Sequence, residues 1–204
     1  MIDGPGDAAW TVVLAHGAGA PMDSPFMQEV AAGIGAQGIR VVRFEFPYMA
    51  RRRSEGAKAP PDRAPVLLET WRGVIARCGP AERLVIGGKS MGGRMASLVA
   101  DEAGIAGLPV FGFPFHAPGK AAEGRIGHMA GLATPTLIVQ GTRDALGSRE
   151  DVAGYALSRA IALEWIEDGD HSLKPRKKSG HTPEAAMAQA VAAAVGFVRS
   201  LERA

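Results

Sequence analysis

The stretch Leu84-Val85-Ile86-Gly87-Gly88-Lys89-Ser90-Met91-Gly92-Gly93-Arg94-Met95 decides the fold. Its first residues are apolar and partly β-branched, as a strand covered on both faces requires. Beyond the serine, Met91, Met95, Leu98 and Val99 repeat at helical spacing. Between strand and helix, Gly88-Lys89-Ser90-Met91-Gly92 matches G-x-S-x-G. The chain must reverse there so sharply that side chains two residues either side of the serine would collide. Ser90 is left standing above the sheet, and the Met91 N–H, at the start of the helix, points toward any oxygen the serine attacks. A glycine-rich turn without chemistry is the plainer reading of the pentapeptide; the strand before it and the helix after it favour a nucleophile. Gly88-Lys89-Ser90 also matches the end of the phosphate loop G-x-x-x-x-G-K-[ST]. That loop wants a glycine where Arg83 stands, and Leu84 to Ile86 belong to the strand, so no nucleotide site is expected.

Working outward, further short apolar runs lie at 11–15, 39–46, 109–113, 136–140 and 162–166, beside 83–87, separated by helix-length stretches. This is the rhythm of βαβ units and predicts an α/β fold, an open and mostly parallel sheet of about six strands with helices on both faces. Ser24 and Pro25 can open a helix whose stripe is Met27, Val30, Ala31 and Ile34, with Gly38 to stop it. A second helix, about 63–78, places Leu67, Trp71, Val74, Ile75 and Cys78 on one face before Gly79-Pro80. A last one begins at Thr182-Pro183 and lays Met187, Val191, Ala194, Val198 and Leu201 along one side. Segments 49–62 and 114–135 resist the scheme and read as loops or short helices. Each follows the C-terminal end of a strand, the edge where open α/β sheets bind ligands, so both are candidate pocket walls.

Composition agrees with an ordinary globular protein: 204 residues, 47% hydrophobic and 22% charged, one domain's worth over 1–204. A net charge of +2 gives no large field for a phosphate backbone, which argues against a nucleic-acid partner and for a small molecule. Cys78 is the only cysteine, so no internal disulfide and no cysteine-built zinc site can form, and no metal or cofactor is expected. Residues 1–10 lack the features of a secretory signal and no run is long enough to span a bilayer, which together with the lone cysteine predicts a cytoplasmic protein without a membrane partner.

A serine hydroxyl needs a base within reach, itself oriented by a carboxylate. The chain order nucleophile, acid, base calls for a late histidine, and His171 follows the last strand in E-D-G-D-H-S-L-K-P; His181 sits in a Lys-rich loop and reads as surface. The acid is expected after the preceding strand, where L-I-V-Q-G-T-R-D places Asp144. Asp168 is the alternative acid, held back because a tether of three residues is too short to swing its carboxylate behind the imidazole. The first strand ends in L-A-H-G-A-G-A, a turn of small residues that lets backbone N–H groups approach a ligand. The Ala18 N–H, with Gly17 as alternative, is expected to join Met91 in an oxyanion hole. His16 reads first as a buried histidine bonded to backbone and second as a substrate contact.

These residues carry a family resemblance. H-G-A-G-A, F-E-F-P-Y, G-K-S-M-G-G-R, H-A-P-G-K, V-Q-G-T-R-D and D-G-D-H-S-L-K-P together resemble the small lidless α/β-hydrolases grouped near dienelactone hydrolases and the testis-expressed hydrolase-like proteins of eukaryotes. The likeness spans nearly the whole chain. It implies Ser90 as nucleophile, Asp144 as acid and His171 as base; a serine stands where dienelactone hydrolases proper carry a cysteine.

The loop holding His116 and His128 is too short for a lid, so an open cleft for small acyl groups is expected, with His116 lining it or bracing the loop. Arg51-Arg52-Arg53 and Lys174, Arg176, Lys177 and Lys178 are expected at its mouth, either as a solvated surface or drawing in an anionic substrate, with Arg51 and Lys174 the candidates for contact. The sequence thus predicts a serine hydrolase of small esters or thioesters working through an acyl-enzyme, with a catalytically idle protein-binding module as the alternative. Its oligomeric state is not legible.

Overall fold

Apolar runs, buried almost without interruption in the central strands, build a seven-stranded sheet in order β1-β3-β2-β4-β5-β6-β7. The strands are β1 (Ile2–Asp3), β2 (Thr11–Ala15), β3 (Arg40–Phe44), β4 (Leu84–Lys89), β5 (Leu108–Phe111), β6 (Thr136–Gly141) and β7 (Ile161–Ile166). The computed structural model describes residues 1–56, 59–117, 119, 122 and 124–203; parts of the segments 49–62 and 114–135, and Lys120 of H-A-P-G-K, lie outside the described residues. The expected six strands are all present, and β1 is an addition: two residues pairing antiparallel with β3, Ile2 opposite Val42. Two residues carry no periodicity, so nothing in the sequence announced it. The remaining pairings are parallel, with Val13 of β2 opposite both Val42 and Ile86.

Alternation along β2 divides the core. Val13 and Ala15 face one side with Trp71, Met95 and Phe113; Val12 and Leu14 face the other with Val30, Ile34, Ala190 and Val198. The first layer includes α3 (Ala64–Cys78) and α4 (Met91–Ser97), and the second α1 (Pro25–Gly35) and α7 (Pro183–Ser200); the short helices α5 (Ala100–Ala103) and α6 (Arg149–Ala153) lie between α4 and α7 along the chain. Thr182 caps α7 by accepting the Ala185 N–H. Ser24 occupies the N-cap position of α1 but makes no capping bond; it lines a cavity instead. The buried stripe of α7 is Ala186, Ala190, Ala194, Val195 and Val198, with Met187 and Val191 on its flank. Small residues let α7 come close to α1: a Cβ on Gly33 would stand 2.8 Å from Val191 Cγ1. Cys78, read as core-facing, is only partly buried against the first layer. Segment 49–62 contains the end of α2 (Pro47–Glu55).

Candidate active site

The parallel strands β4, β6 and β7 end on one sheet edge, and each hands its chain to one member of a polar group. Ser90 occupies the N-cap position of α4 directly after β4 with φ +51 and ψ −117, a conformation costing about 1–3 kcal/mol that persists only when surroundings enforce it. Enforcement comes from glycines. Gly88 has φ +148, and a Cβ there would overlap the Ala15 carbonyl; a Cβ on Gly92 would stand 2.5 Å from the His16 oxygen and 2.7 Å from that of Ala15. The elbow is therefore pressed against the end of β2, and Trp71 Nε1 pins its far side by donating to the Gly92 carbonyl at 3.2 Å.

His171 Nε2 lies 2.8 Å from Ser90 Oγ, and His171 Nδ1 lies 2.8 Å from Asp144 Oδ2. Asp144 is wholly buried. Its Oδ1 accepts the Leu146 N–H at 2.8 Å, and its Oδ2 also accepts from Gln140 Nε2 at 2.9 Å. An acceptor-only carboxylate places the proton on Nδ1 and leaves the Nε2 lone pair toward the serine. Asp168, the alternative acid, is elsewhere engaged: Arg176 and Arg143 hold its carboxylate, and the Arg176 pairing keeps it well below the usual carboxylate range. Asp170 shapes the histidine loop by accepting the Ser172 and Lys174 N–H groups at 2.8 and 3.0 Å.

The small-residue turn after β2 is oriented from behind. His16 Nε2 accepts the Phe46 N–H at 3.1 Å, so Nδ1 carries the proton and donates to the Gly17 carbonyl at 2.7 Å. Tyr48 Oη donates to the same turn, 3.3 Å from the Gly17 oxygen and 3.0 Å from that of Ala18. In a trans peptide C=O and N–H point oppositely, so drawing the Gly17 carbonyl toward His16 and Tyr48 turns the Ala18 N–H away from them. His16 is fully buried, its pKa lowered by burial, and it lines neither cavity at Ser90. Its expectation as a substrate contact is corrected to that of a brace behind the turn.

The known family whose description fits is the alpha/beta hydrolase domain, matched over residues 8–199. The chain belongs to that family. Solved alpha/beta hydrolase structures share its fold at low identity. An alpha-beta serine hydrolase homologue from Coxiella burnetii has a TM-score of 0.72 at 19% identity, covering 98% of this chain and 89% of that one. A serine hydrolase without a lid from Xanthomonas campestris gives 0.70 at 19%, covering 98% and 87%. A dienelactone hydrolase from Anabaena variabilis gives 0.71 at 18%, covering 98% and 89%. No helix among the described residues is long and apolar enough to cross a membrane.

Two cavities of this alpha/beta hydrolase share Ala18 and Ser90. The larger, about 540 Å³, is mostly apolar through Pro25, Phe26, Met27 and Met187, with Lys89 and Lys174 in its wall. The smaller, about 310 Å³, is lined by Met91, Arg94, His116, Arg125 and Leu146 beside the shared pair. His116 stands in this wall with Nδ1 3.0 Å from the Ala117 oxygen and Nε2 3.4 Å from Asp151 Oδ2. Arg51 does not reach either cavity, because Asp62 takes its guanidinium at 2.6 Å while also accepting the Tyr48 N–H; a substrate contact there is corrected to an ion pair. Arg53 is likewise tied to Asp23 and Glu45. His128 sits with Ser97, 2.8 Å away, outside both cavities.

A residue to which the sequence pattern assigns no role at the site is Lys89, the variable position of the elbow. Its ammonium donates to the His171 carbonyl at 2.6 Å and lies 5.6 Å from the centre of the Phe26 ring. Gly112, at φ +66, makes the room: a Cβ there would meet Lys89 Nζ at 2.7 Å and the His171 oxygen at 2.8 Å. Burial lowers the Lys89 pKa to about 8, against the opposing pull of Asp144 and Asp170. The unfolded chain therefore binds more protons than the folded one between pH 8 and the ordinary lysine value near 10.5, and the stability contributed by this position rises with pH through that window. Measured as Tm against pH, wild type is expected to gain on Lys89→Met from pH 8 to 10.5 by a few degrees, on the order of 2 kcal/mol. Parallel curves would show that Lys89 titrates normally.

Proposed function

We propose that the chain is a serine hydrolase that cleaves a small ester or thioester through an acyl-enzyme, with Ser90 as nucleophile, His171 as general base and Asp144 as the orienting acid. The observation that carries this reading is the unbroken chain from Ser90 Oγ through both nitrogens of His171 to Asp144, two contacts of 2.8 Å each. His171 Nε2 takes the hydroxyl proton as Oγ attacks the carbonyl carbon, and Asp144 stabilises the imidazolium without itself being protonated. The Met91 N–H, free at the first turn of α4, and the Ala18 N–H receive the developing oxyanion; each such donor contributes about 3 kcal/mol. His171 then returns the proton to the leaving group, and water repeats the sequence in reverse to free the acid.

The size of the larger cavity and its open, apolar wall suit a short acyl chain. The idle binding module is the weaker reading, because a non-catalytic fold has no use for a strained serine held against a correctly polarised histidine. A single cysteine without a disulfide partner supports a reducing, cytoplasmic setting. Hydrolysis of p-nitrophenyl esters from acetate to dodecanoate tests the proposal. Turnover is expected to be faster on short chains than on dodecanoate, with a butyryl thioester alongside to separate the two substrate classes. No turnover anywhere in the series would overturn it.

A further inference from the structure

We propose that the smaller cavity at Ser90 is an anion subsite in which Arg94 and Arg125 bind a carboxylate or similar compact oxyanion carried by one half of the substrate, the other half occupying the larger apolar cavity. The inference deepens the hydrolase reading and rests on it for the identity of the reaction.

Arg94 lies four residues after Ser90, its own N–H bonded to the Ser90 carbonyl at 2.9 Å, so α4 fixes its starting point relative to the nucleophile. Its side chain is half-buried, and Nε is shielded from solvent without a hydrogen-bond partner. A guanidinium carries five donors and loses hydration on burial, so an acceptor is normally supplied. Among the described residues none is: Arg94 forms no ion pair, and neither does Arg125, the other cation in the same wall. Burial and the neighbouring Arg125 both push the Arg94 pKa down, the mark of a site that lacks a counter-charge. No carboxylate stands among the described lining residues, and the described acids bonded to lining residues are engaged: Asp144 with Leu146, Gln140 and His171, and Asp151 with His116 and the Ser148 cap of the short helix Arg149–Ala153.

The contrast with other arginines of the chain is informative. Arg43, which is buried, and Arg51, Arg53, Arg72, Arg143, Arg149 and Arg176 are paired with carboxylates. Arg94 and Arg125, which form no such pair among the described residues, are the two arginines lining a cavity with Ser90. A planar fork beside a second cation is the arrangement that accepts a carboxylate bidentately. Because the two cavities meet at Ala18 and Ser90, an ester whose carbonyl sits at Ser90 can place one substituent in each.

The test compares kcat/KM for paired esters of equal length. One arm puts the charge on the acyl side, p-nitrophenyl glutarate against p-nitrophenyl pentanoate. The other puts it on the leaving group, 4-carboxyphenyl butyrate against 4-carbamoylphenyl butyrate. Wild type is expected to favour the anion about tenfold or more in one arm, the arm telling which half enters the arginine cavity. Arg94→Gln should bring that ratio close to one, Arg94→Lys should keep part of it, and Arg125→Gln should reduce it. Arg72→Gln, whose arginine pairs with Glu102 on the surface, should not change it. A wild-type ratio at or below one in both arms, or a ratio unchanged in Arg94→Gln, overturns the subsite while leaving the hydrolase reading intact. Calorimetric binding of glutaric acid mono-4-nitroanilide, an amide, to Ser90→Ala and to Ser90→Ala/Arg94→Gln decides without turnover. About tenfold weaker binding in the double variant, or no binding to either, separates support from refutation even where no ester is hydrolysed and the hydrolase reading itself has failed.

Discussion

Asparagine at position 144 is expected to lower kcat on a p-nitrophenyl ester by about 10⁴-fold, with the fold retained. The size of the effect follows from which way the new amide must face. Oδ1 of Asp144 accepts the Leu146 N–H, a backbone donor with no other partner in the turn, so the amide oxygen of Asp144→Asn has to take that place. The NH₂ then occupies the former Oδ2 position, facing Gln140 and His171. Gln140 tolerates this, because its Nε2 also donates to the Phe113 and Gly147 carbonyls. His171 does not: offered a donor, Nδ1 becomes the acceptor, and the ring proton moves to Nε2, where it points at Ser90 Oγ and blocks proton abstraction. Steady-state kinetics on the variant, with circular dichroism to show that it folds, checks the expectation. A fall of less than tenfold would mean that the carboxylate does not set the tautomer.

Gly88→Ala is expected to be the most damaging substitution for stability, by more than about 4 kcal/mol. Two penalties coincide there: a φ of +148 that L side chains rarely adopt, and a Cβ that overlaps the Ala15 carbonyl in β2, a central strand paired on both sides. Neither neighbour can yield, because Ala15 is held in register with Phe44 and with residue 88 itself. For a chain of this length the loss corresponds to a fall in Tm of roughly 10 °C or more, read by thermal denaturation, or to insoluble expression. A stable Gly88→Ala protein would mean that the elbow relaxes and that the strain at Ser90 is not enforced by this contact.

Both results turn on features of different legibility. The elbow, the parallel sheet and the positions of Asp144 and His171 could be read from the sequence because each depends on local pattern: glycines where a turn reverses, apolar runs of strand length, and polar residues just past strand ends. Tether length favours Asp144 over Asp168 beside His171, and Asp168 pairs with Arg143 and Arg176. What could not be read depends on contacts between segments distant in sequence. Arg51 is held by Asp62, eleven residues on, a pairing that no local pattern encodes. His16 looked ambiguous because Phe46, its partner, is thirty residues away. Lys89 and Arg94 belong to the elbow motif, yet their environments are made by Gly112, His171 and Arg125. The strand Ile2–Asp3 exists only because β3 presents an edge to it.

The account is tested most directly by treating the folded protein with a fluorophosphonate and locating the adduct by intact mass and peptide mapping. One adduct per chain, on Ser90, lost in Ser90→Ala and greatly slowed in His171→Gln, is the result expected if His171 activates that hydroxyl. Modification that survives Ser90→Ala, or a folded wild-type protein that stays unmodified, would contradict it.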